Sequence, residues 1–502
     1  MLSPLLLLLL ALSLGVAASS SPGLVLLLAD DLGYGDTGCF GHPSSRTPNL
    51  DRLAAEGRRF SDFYSAASVC SPSRAALLTG RYPTRSGVYP GVFSPGSRGG
   101  LPLNETTIAE LLKQQGYVTA MLGKWHLGYG ANGSFLPIHQ GFDHFLGVPY
   151  SHDQGPCQNL TCFPPDTRCY GTCDQGVVLL PLLKENKIIQ QPVNLPNLTP
   201  LYDHFARDFI LRATKQHKPF FLYYASHHTH YPQFASADFT RKSKRGPVGD
   251  ALMEFDGSVG VIMQALRDAG VENNTLVFFT SDNGPELMRR SRGGNAGLLK
   301  CGKGTTYEGG MREPAIAHWP GQIAPGVTHE LASTLDILPT IASLLGVKLP
   351  QVKLDGYDIR DVLFNNGKSK RETMFYYPVF PSRELGVFAV RYGQYKAHYF
   401  TQGSTHSDST PDHDCHWDAL LASHDPPLLF DLEADPSENY PLNSFDVPNY
   451  SQIIDAINKE KLKFESEMEF GESQIDRGSD PALEPCIDPG CSPRPGCCRQ
   501  AY

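Results

Sequence analysis

The sequence predicts a layered α/β protein with a smaller antiparallel sheet and a helix at its C-terminal end, and three observations predict it. Four segments, 24–28, 117–122, 220–225 and 275–280, are apolar along their length and polar where they end, as parallel strands covered on both faces are. Segments of helical period alternate with them, the pattern of a sheet with helices on its faces. Beyond about Gly346 that alternation stops, and short strands at 374–377, 387–391, 395–400 and 428–432 follow, with a tight turn at Tyr392-Gly393-Gln394 and a helix over 450–467. Ligands bind such sheets at the carboxyl ends of the strands, so the four polar exits are expected to meet in one crevice.

Each element has a local reason. Residues 5–14 are an apolar run too short to span a bilayer, followed by Val16-Ala17-Ala18-Ser19, which reads as a secretory signal peptide over 1–19. The strand at 24–28 ends in Ala29-Asp30-Asp31. Thr47-Pro48 caps a helix with Leu50, Leu53 and Ala54 on one face, and Gly57 stops it. Ser71 is a favoured cap and Pro72 suits a first turn, so a helix starts beside Cys70. Its free N–H groups and dipole favour an anion there, and Arg74 adds a permanent charge one turn on. Thr107-Ile108-Ala109-Glu110 has capping-box spacing and opens a helix running to Gly116. The strand at 117–122 then delivers Gly123-Lys124-Trp125-His126. A helix over 202–217 precedes the strand ending in Ser226-His227-His228-Thr229-His230, and another over 250–269 precedes the one ending in Ser281-Asp282-Asn283-Gly284. The longest later apolar run, 335–346, is broken by Asp336 and Pro339, so no transmembrane segment is expected after the signal.

The chain thus divides into a signal peptide at 1–19, a catalytic domain at 20–346 and a C-terminal subdomain at 347–502 with a cysteine-rich tail. A formal net charge of −9 without a basic stripe excludes a general nucleic-acid binder; the short runs at 241–245 and 289–292 read as solvated loops. Cysteine usage fits an oxidising compartment. Of twelve cysteines, setting aside Cys70 and Cys39, read as a buried free thiol, leaves ten, enough for five bridges. Cys157, Cys162, Cys169 and Cys173 form a local staple, nested 157–173 and 162–169. Cys301 has Cys415 as its unclustered partner, and Cys486, Cys491, Cys497 and Cys498 tie down the tail. Zinc is the rival reading for both clusters, but no histidine lies at finger spacing. Sequons at Asn104, Asn132, Asn159, Asn197, Asn273 and Asn449 agree with export and glycosylation.

Asp30, Asp31, Asp282 and Asn283 offer only oxygen ligands, a set suited to calcium or magnesium rather than zinc. His227, His228 and His230 read as a zinc cluster, surface histidines or an acid–base group. Lys303 lies in the Gly-rich segment 302–310, which is able to set a cation against an anion.

The run from Cys70-Ser71-Pro72-Ser73-Arg74 to Leu78-Thr79-Gly80-Arg81 resembles the sulfatase signature, in which the cysteine becomes Cα-formylglycine. Residues 116–127 resemble the second sulfatase signature, and the segments 151–157, 223–232 and 302–310 and the tail cysteines are similar to those of lysosomal arylsulfatases. The resemblance covers nearly the whole chain after the signal. It implies an alkaline-phosphatase-like fold with a large mixed, mostly parallel sheet, and one Ca2+, with Mg2+ as the alternative, on Asp30, Asp31, Asp282 and Asn283. It also implies a catalytic group of Cys70, Arg74, Lys124, His126, His230 and Lys303, with Lys124, Ser151, His230 and Lys303 on the sulfate, and a long-range bridge between Cys301 and Cys415. The implied substrate is a sulfated galactolipid, cerebroside 3-sulfate above all, presented by a lipid-extracting activator protein. A formylglycine-generating enzyme would act on Cys70, and the chain would form homodimers that associate further at acid pH in the lysosome, with part of it secreted.

By the same resemblance the aldehyde hydrates to a gem-diol. One hydroxyl attacks sulfur, the alcohol leaves with a proton from His230 and Lys303, and the second hydroxyl, helped by His126, expels sulfate and restores the aldehyde. Two rivals stand beside this. A phosphoester hydrolase of the same superfamily would need histidine and aspartate ligands for two zinc ions; an inactive sulfolipid-binding glycoprotein would keep Cys70 unmodified.

Overall fold

The computed structural model describes residues 21–154, 180–408, 410–488, 490–493 and 496–499. The signal segment, Asn159 and the staple cysteines Cys157, Cys162, Cys169 and Cys173 lie outside the described residues. Ten strands make one sheet: β1 (Gly23–Ala29), β2 (Arg58–Phe60), β3 (Val118–Lys124), β4 (His144–Val148), β5 (Leu182–Lys184), β6 (Lys187–Gln190), β7 (Phe220–Ala225), β8 (Thr275–Ser281), β9 (Ala315–His318) and β10 (Gly326–Thr328). Their order is β10-β2-β9-β8-β1-β7-β3-β4-β5-β6. The four apolar segments read from the sequence are the consecutive parallel neighbours β8, β1, β7 and β3, and β4 extends them. β9 runs antiparallel against β8, and β5 and β6 run antiparallel beyond β4. The sheet is therefore mixed and mostly parallel at its centre.

Alternate residues of β1 enter opposite layers, because side chains on a strand alternate with period two. Leu24, Leu26 and Leu28 pack toward α2 (Cys70–Thr79), α3 (Ile108–Lys113) and α6 (Ile337–Leu344). Val25, Leu27 and Ala29 pack toward α1 (Pro48–Glu56), α4 (Leu198–Lys215) and α5 (Pro247–Asp268). Each such leucine buried from water contributes about 1.5–3 kcal/mol. A second sheet, β11 (Thr373–Tyr376), β12 (Ala389–Tyr392), β13 (Tyr395–Thr401) and β14 (Ala422–Asp431), is antiparallel throughout. Helix α7 (Tyr450–Ser466) buries Ile453, Ile454 and Ile457 against it and stacks Phe464 on Phe375 at 3.8 Å.

Several local readings shift. Cys70 is itself the first residue of α2 and Val69 holds the cap position. Ser71 is therefore not the cap; its hydroxyl accepts from the Phe93 backbone N–H at 3.2 Å, while Pro72 stays in the first turn. Thr47 precedes α1 but bonds Gly38 and Asp51 rather than capping the helix. The capping box at Thr107 and Glu110 forms in both directions. Helix α5 begins at Pro247, because Asp250 takes the backbone N–H groups of Arg241, Lys242 and Ser243. The basic runs are not simply solvated. Arg245 pairs with Asp36 at 2.6 Å, and buried Arg289 pairs with Glu286 at 3.1 Å and covers the Tyr231 ring.

Cys301 is bonded to Cys415, Cys486 to Cys498 and Cys491 to Cys497. Cys39 is free and half-buried, its thiol pushed up to about 12 chiefly by burial. Asn104, Asn132, Asn197, Asn273 and Asn449 are all exposed. No helix among the described residues is long and apolar enough to cross a membrane.

A buried charge knot joins the second sheet to the Gly-rich segment at Glu308. Lys396 of β13 reaches Glu308 at 2.9 Å and Glu438 at 3.1 Å, and His398 meets Glu438 at 2.6 Å. Glu438 also accepts from the backbone N–H of Glu308 at 2.6 Å. All four side chains are shut off from water, so removing the cation leaves two carboxylates facing each other there. Lys396→Ala is expected to destabilise by about 3–5 kcal/mol, read by chemical unfolding at neutral pH.

Candidate active site

Register at the end of the sheet brings the acidic exits together. Ala29 of β1 pairs with Ser281 of β8, so Asp30-Asp31 and Asp282-Asn283 leave neighbouring strands side by side. Asp31, in a left-handed conformation at φ 55°, donates its N–H to Asp282 Oδ1 at 3.1 Å. On the other flank the N–H of Asp30 bonds the His228 carbonyl at 2.8 Å, and the N–H of Thr229 bonds the Asp30 carbonyl at 2.6 Å.

Three buried cations hold three buried carboxylates. Arg74, from the first turns of α2, donates through Nε and Nη2 to Asp282 at 3.0 and 2.7 Å, pairs with Asp30 at 3.2 Å and bonds the Lys124 carbonyl at 2.9 Å. Lys124 Nζ, at the end of β3, is 2.7 Å from Asp30 and 3.5 Å from Cys70 Sγ. Lys303 Nζ is 2.7 Å from Asp31 and 3.3 Å from His230 Nε2. Burial pushes Asp30 up, but Lys124 and Arg74 outweigh it and hold the carboxyl well below its ordinary value. Burial lifts Asp31 to about 7 against the pull of Lys303. Burial also pushes the Cys70 thiol far up, despite Lys124 and Lys303, so unmodified Cys70 is a protonated thiol and a poor nucleophile.

The cluster is able to hold a cation. Asp30, Asp31, Cys70 and His230 offer ligand atoms within 4.8 Å of one another. Asn283 donates through Nδ2 to Asp31 at 2.8 Å, while its Oδ1 is buried without a hydrogen-bond partner. A buried acceptor with no donor is costly unless a cation meets it.

Hydrogen bonds to carbonyls fix the imidazoles. His230 Nδ1 donates to the Tyr231 carbonyl at 2.5 Å, leaving Nε2 to accept from Lys303. His126 Nε2 donates to the Phe93 carbonyl at 3.1 Å, and its buried Nδ1 has no partner. Burial, then the nearby lysines, push both rings well below the usual histidine value. The three histidines after β7 do not converge on a metal: His227 meets Tyr202, His228 meets Glu254 at 2.9 Å, and His230 alone faces the carboxylates. The Ser151 hydroxyl is buried and without a hydrogen-bond partner.

Sequence reasoning assigned no role to His152, Glu286 or Ser407. The His152 ring packs edge-on against His230 with centroids 5.4 Å apart. Glu286 accepts from His406 at 3.0 Å, and Ser407 Oγ donates to the Lys303 carbonyl at 3.0 Å. Their contacts join segments distant in the chain, 120 residues apart for Glu286 and 104 for Ser407, and no local pattern marks them.

A crevice at the carboxyl ends of a parallel sheet, lined with three carboxylates, three cations and a cysteine at a helix start, suits a hydrolase of anionic esters. Residues 22–347 match the family model described as "Sulfatase", and 369–500 match "C-terminal region of aryl-sulfatase". Arylsulfatase A of Homo sapiens is 60% identical over 494 residues, spanning 98% of this chain and 97% of the relative. Arylsulfatase A of Bos taurus is 60% identical over 492 residues, spanning 97% of each. The crystal structure of PsFucS1 sulfatase from Pseudoalteromonas sp. superposes with a TM-score of 0.75 at 30% identity, covering 90% of this chain and 92% of that one. The chain belongs to the sulfatase family and is a sulfuric ester hydrolase.

Burial and Lys124 push His152 down to about 4, against about 6.5 in an unfolded chain. Between those values the unfolded chain binds a proton that the folded one refuses, so His152 makes stability fall as pH drops through this window. The loss amounts to about 3 kcal/mol at about 1.36 kcal/mol per pH unit. In His152→Gln the unfolding free energy should decline by up to that much less between about pH 7 and about pH 4. Parallel curves for the two proteins would show that His152 titrates normally.

Proposed function

We propose that the protein hydrolyses the sulfate ester of a sulfated galactolipid, cerebroside 3-sulfate above all, with residue 70 as formylglycine. The observation that carries this reading is a cysteine at the first position of a buried helix, its Sγ 3.5 Å from Lys124 Nζ and 3.7 Å from Asp30. As a thiol it has little nucleophilic chemistry; as an aldehyde it has a complete one. The hydrated aldehyde would attack sulfur, release the alcohol and hold the sulfate as an ester, then collapse to aldehyde and free sulfate. A calcium ion on Asp30, Asp31, Asp282 and Asn283, with magnesium as the alternative, would supply Lewis acidity there.

The chain's own residues do the rest. Three carboxylates against three cations leave the pocket near neutral, so a bound divalent cation turns it attractive to an anion. Lys124 and Lys303 face the sulfate oxygens, and the unpaired Ser151 hydroxyl adds a donor. Burial opposes charge on Lys303, but Asp31 holds its ammonium well above the ordinary value. It therefore stays a proton donor and, with His230 at 3.3 Å, protects the leaving oxygen from departing as an alkoxide. His126 presents a lone pair on Nδ1, the atom suited to take the proton released when sulfate departs. Arg74 positions Asp30 and Asp282.

The lysosome, reached through the secretory pathway with part of the protein secreted, is the proposed location; the signal-like segment and the exposed sequons support it. An activator that lifts lipid from a membrane, a formylglycine-generating enzyme and acid-dependent association of dimers belong to the same proposal.

The test is the mass of the peptide spanning residue 70, together with hydrolysis of p-nitrocatechol sulfate and of detergent-free sulfatide at acid pH. An aldehyde mass with turnover of both is expected, and Cys70→Ala should abolish turnover. Full activity with an unmodified thiol overturns the mechanism, and preference for a phosphate ester overturns the substrate class. Lys303→Ala should lower kcat about 10²–10³-fold in the fraction that stays folded, which unfolding curves define because the variant also leaves buried Asp31 without its partner; an unchanged kcat would remove Lys303 from the reaction.

A further inference from the structure

Residues 91–96 belong to no helix or strand, yet Phe93 in their midst is buried. Its backbone groups therefore need partners that regular structure does not supply. The Phe93 N–H donates to Ser71 Oγ at 3.2 Å, and no other acceptor meets it among the described residues. The Phe93 carbonyl accepts from His126 Nε2 at 3.1 Å and from Gln154 Nε2 at 3.1 Å. Three separate parts of the active site thus meet on one residue: the first turn of α2, the exit of β3 and the segment that carries Ser151.

The ends of this loop are held from the C-terminal side. The Gly91 N–H bonds the Val379 carbonyl at 3.1 Å, and the Gly96 carbonyl accepts from the Asp480 N–H at 2.8 Å. Its middle is held by the site itself. Ser71 is fully buried and follows residue 70 directly, so two hydrogen bonds and one residue separate the turn that bears the nucleophile from His126. The His126 backbone is left-handed at φ 56°, with its N–H on the Pro149 carbonyl at 3.1 Å. Among the described residues its ring bonds only the Phe93 carbonyl. The position of that carbonyl therefore sets which nitrogen keeps the proton and where the ring points.

We propose that Ser71 is a positioning residue for sulfate release: its hydroxyl oxygen fixes Phe93, and the Phe93 carbonyl fixes the His126 ring with the Nδ1 lone pair open. The inference rests on the reading of His126 as the base of that step. There the second hydroxyl of residue 70 gives its proton to Nδ1, the aldehyde C=O forms, and the C–O bond to sulfate breaks with its electron pair leaving on sulfate. Ser71 touches neither the proton nor the sulfur. Without its hydroxyl a buried N–H has no acceptor, so the loop shifts to find one and the His126 ring shifts with it. Alcohol release comes earlier and uses His230 and Lys303, so it is spared.

The experiment measures p-nitrocatechol sulfate turnover at acid pH in the full-length protein, Ser71→Ala, His126→Ala and the double variant. Each rate is expressed per aldehyde found at residue 70 by peptide mass. Ser71→Ala should lower kcat about tenfold and KM with it, leaving kcat/KM within about twofold, because only the step after alcohol release slows. The peptide spanning residue 70 should then carry the sulfate ester during turnover. His126→Ala should show the same signature more strongly, and adding Ser71→Ala to it should change kcat less than about twofold. Ser71→Thr and Ser71→Val share one shape, so crowding cancels between them; the threonine variant should keep turnover and the valine variant lose it. Equal losses in kcat and kcat/KM without a sulfated peptide, or losses that multiply in the double variant, overturn the role of Ser71 while the sulfatase reading stands. A His126→Ala protein that accumulates no ester overturns the reading of His126 on which the inference rests.

Discussion

The carboxylate of Asp30 is the point on which the rest of the site depends. It is closed to water, shared between Lys124 and Arg74, and carried on the strand at the centre of the sheet. Burying an ion without partners costs several kcal/mol, and removing one partner from a buried pair leaves the other uncompensated. Arg74 from α2, Lys124 from β3 and Asp282 from β8 can therefore take essentially one arrangement. The catalytic helix is consequently positioned by electrostatics as much as by packing. The position of Cys70 follows, because Arg74 lies one turn away on the same helix.

Much of this was legible before any coordinates. The four apolar segments with polar exits are adjacent parallel strands, and the acidic pairs sit where the sheet ends, because unbroken apolar runs specify strands covered on both faces. The signature residues Arg74, Lys124 and Lys303 bond the carboxylates directly, with Cys70 Sγ 3.7 Å from Asp30 and His230 Nε2 3.6 Å from Asp31. Other features were not legible. Ser71 looks like a cap, yet a backbone N–H from Phe93, twenty-two residues away, claims its hydroxyl. Arg245 and Arg289 look solvated because a short basic run carries no information about an acidic residue that the fold brings beside it. The knot of Glu308, Lys396, His398 and Glu438 is invisible for the same reason: one strand, a short helical segment and a loop far apart in the chain contribute its members, and only the fold brings them together.

Proton management follows from the backbone. In an anionic reaction the imidazoles must differ in role while sharing a pocket, and carbonyl acceptors separate them. Tyr231 takes the Nδ1 hydrogen of His230 and leaves Nε2 toward Lys303; Phe93 takes the Nε2 hydrogen of His126 and leaves Nδ1 free. Burial beside lysines keeps both rings neutral, so neither adds charge that would trap the sulfate product. Charge is supplied instead by groups that do not titrate near working pH, Arg74, Lys124 and Lys303.

A pocket made this way recognises a sulfate group and is nearly blind to what the sulfate is attached to, since its charges, hydrogen bonds and proton donor all address one sulfur and its oxygens. Discrimination among sulfate esters has to come from surfaces that touch the alcohol. The C-terminal sheet is fixed against the Gly-rich loop by buried charge through Lys396 and by the Cys301–Cys415 bond. That attachment holds the loop that carries Lys303, and with it the cation that meets Asp31, from the C-terminal side.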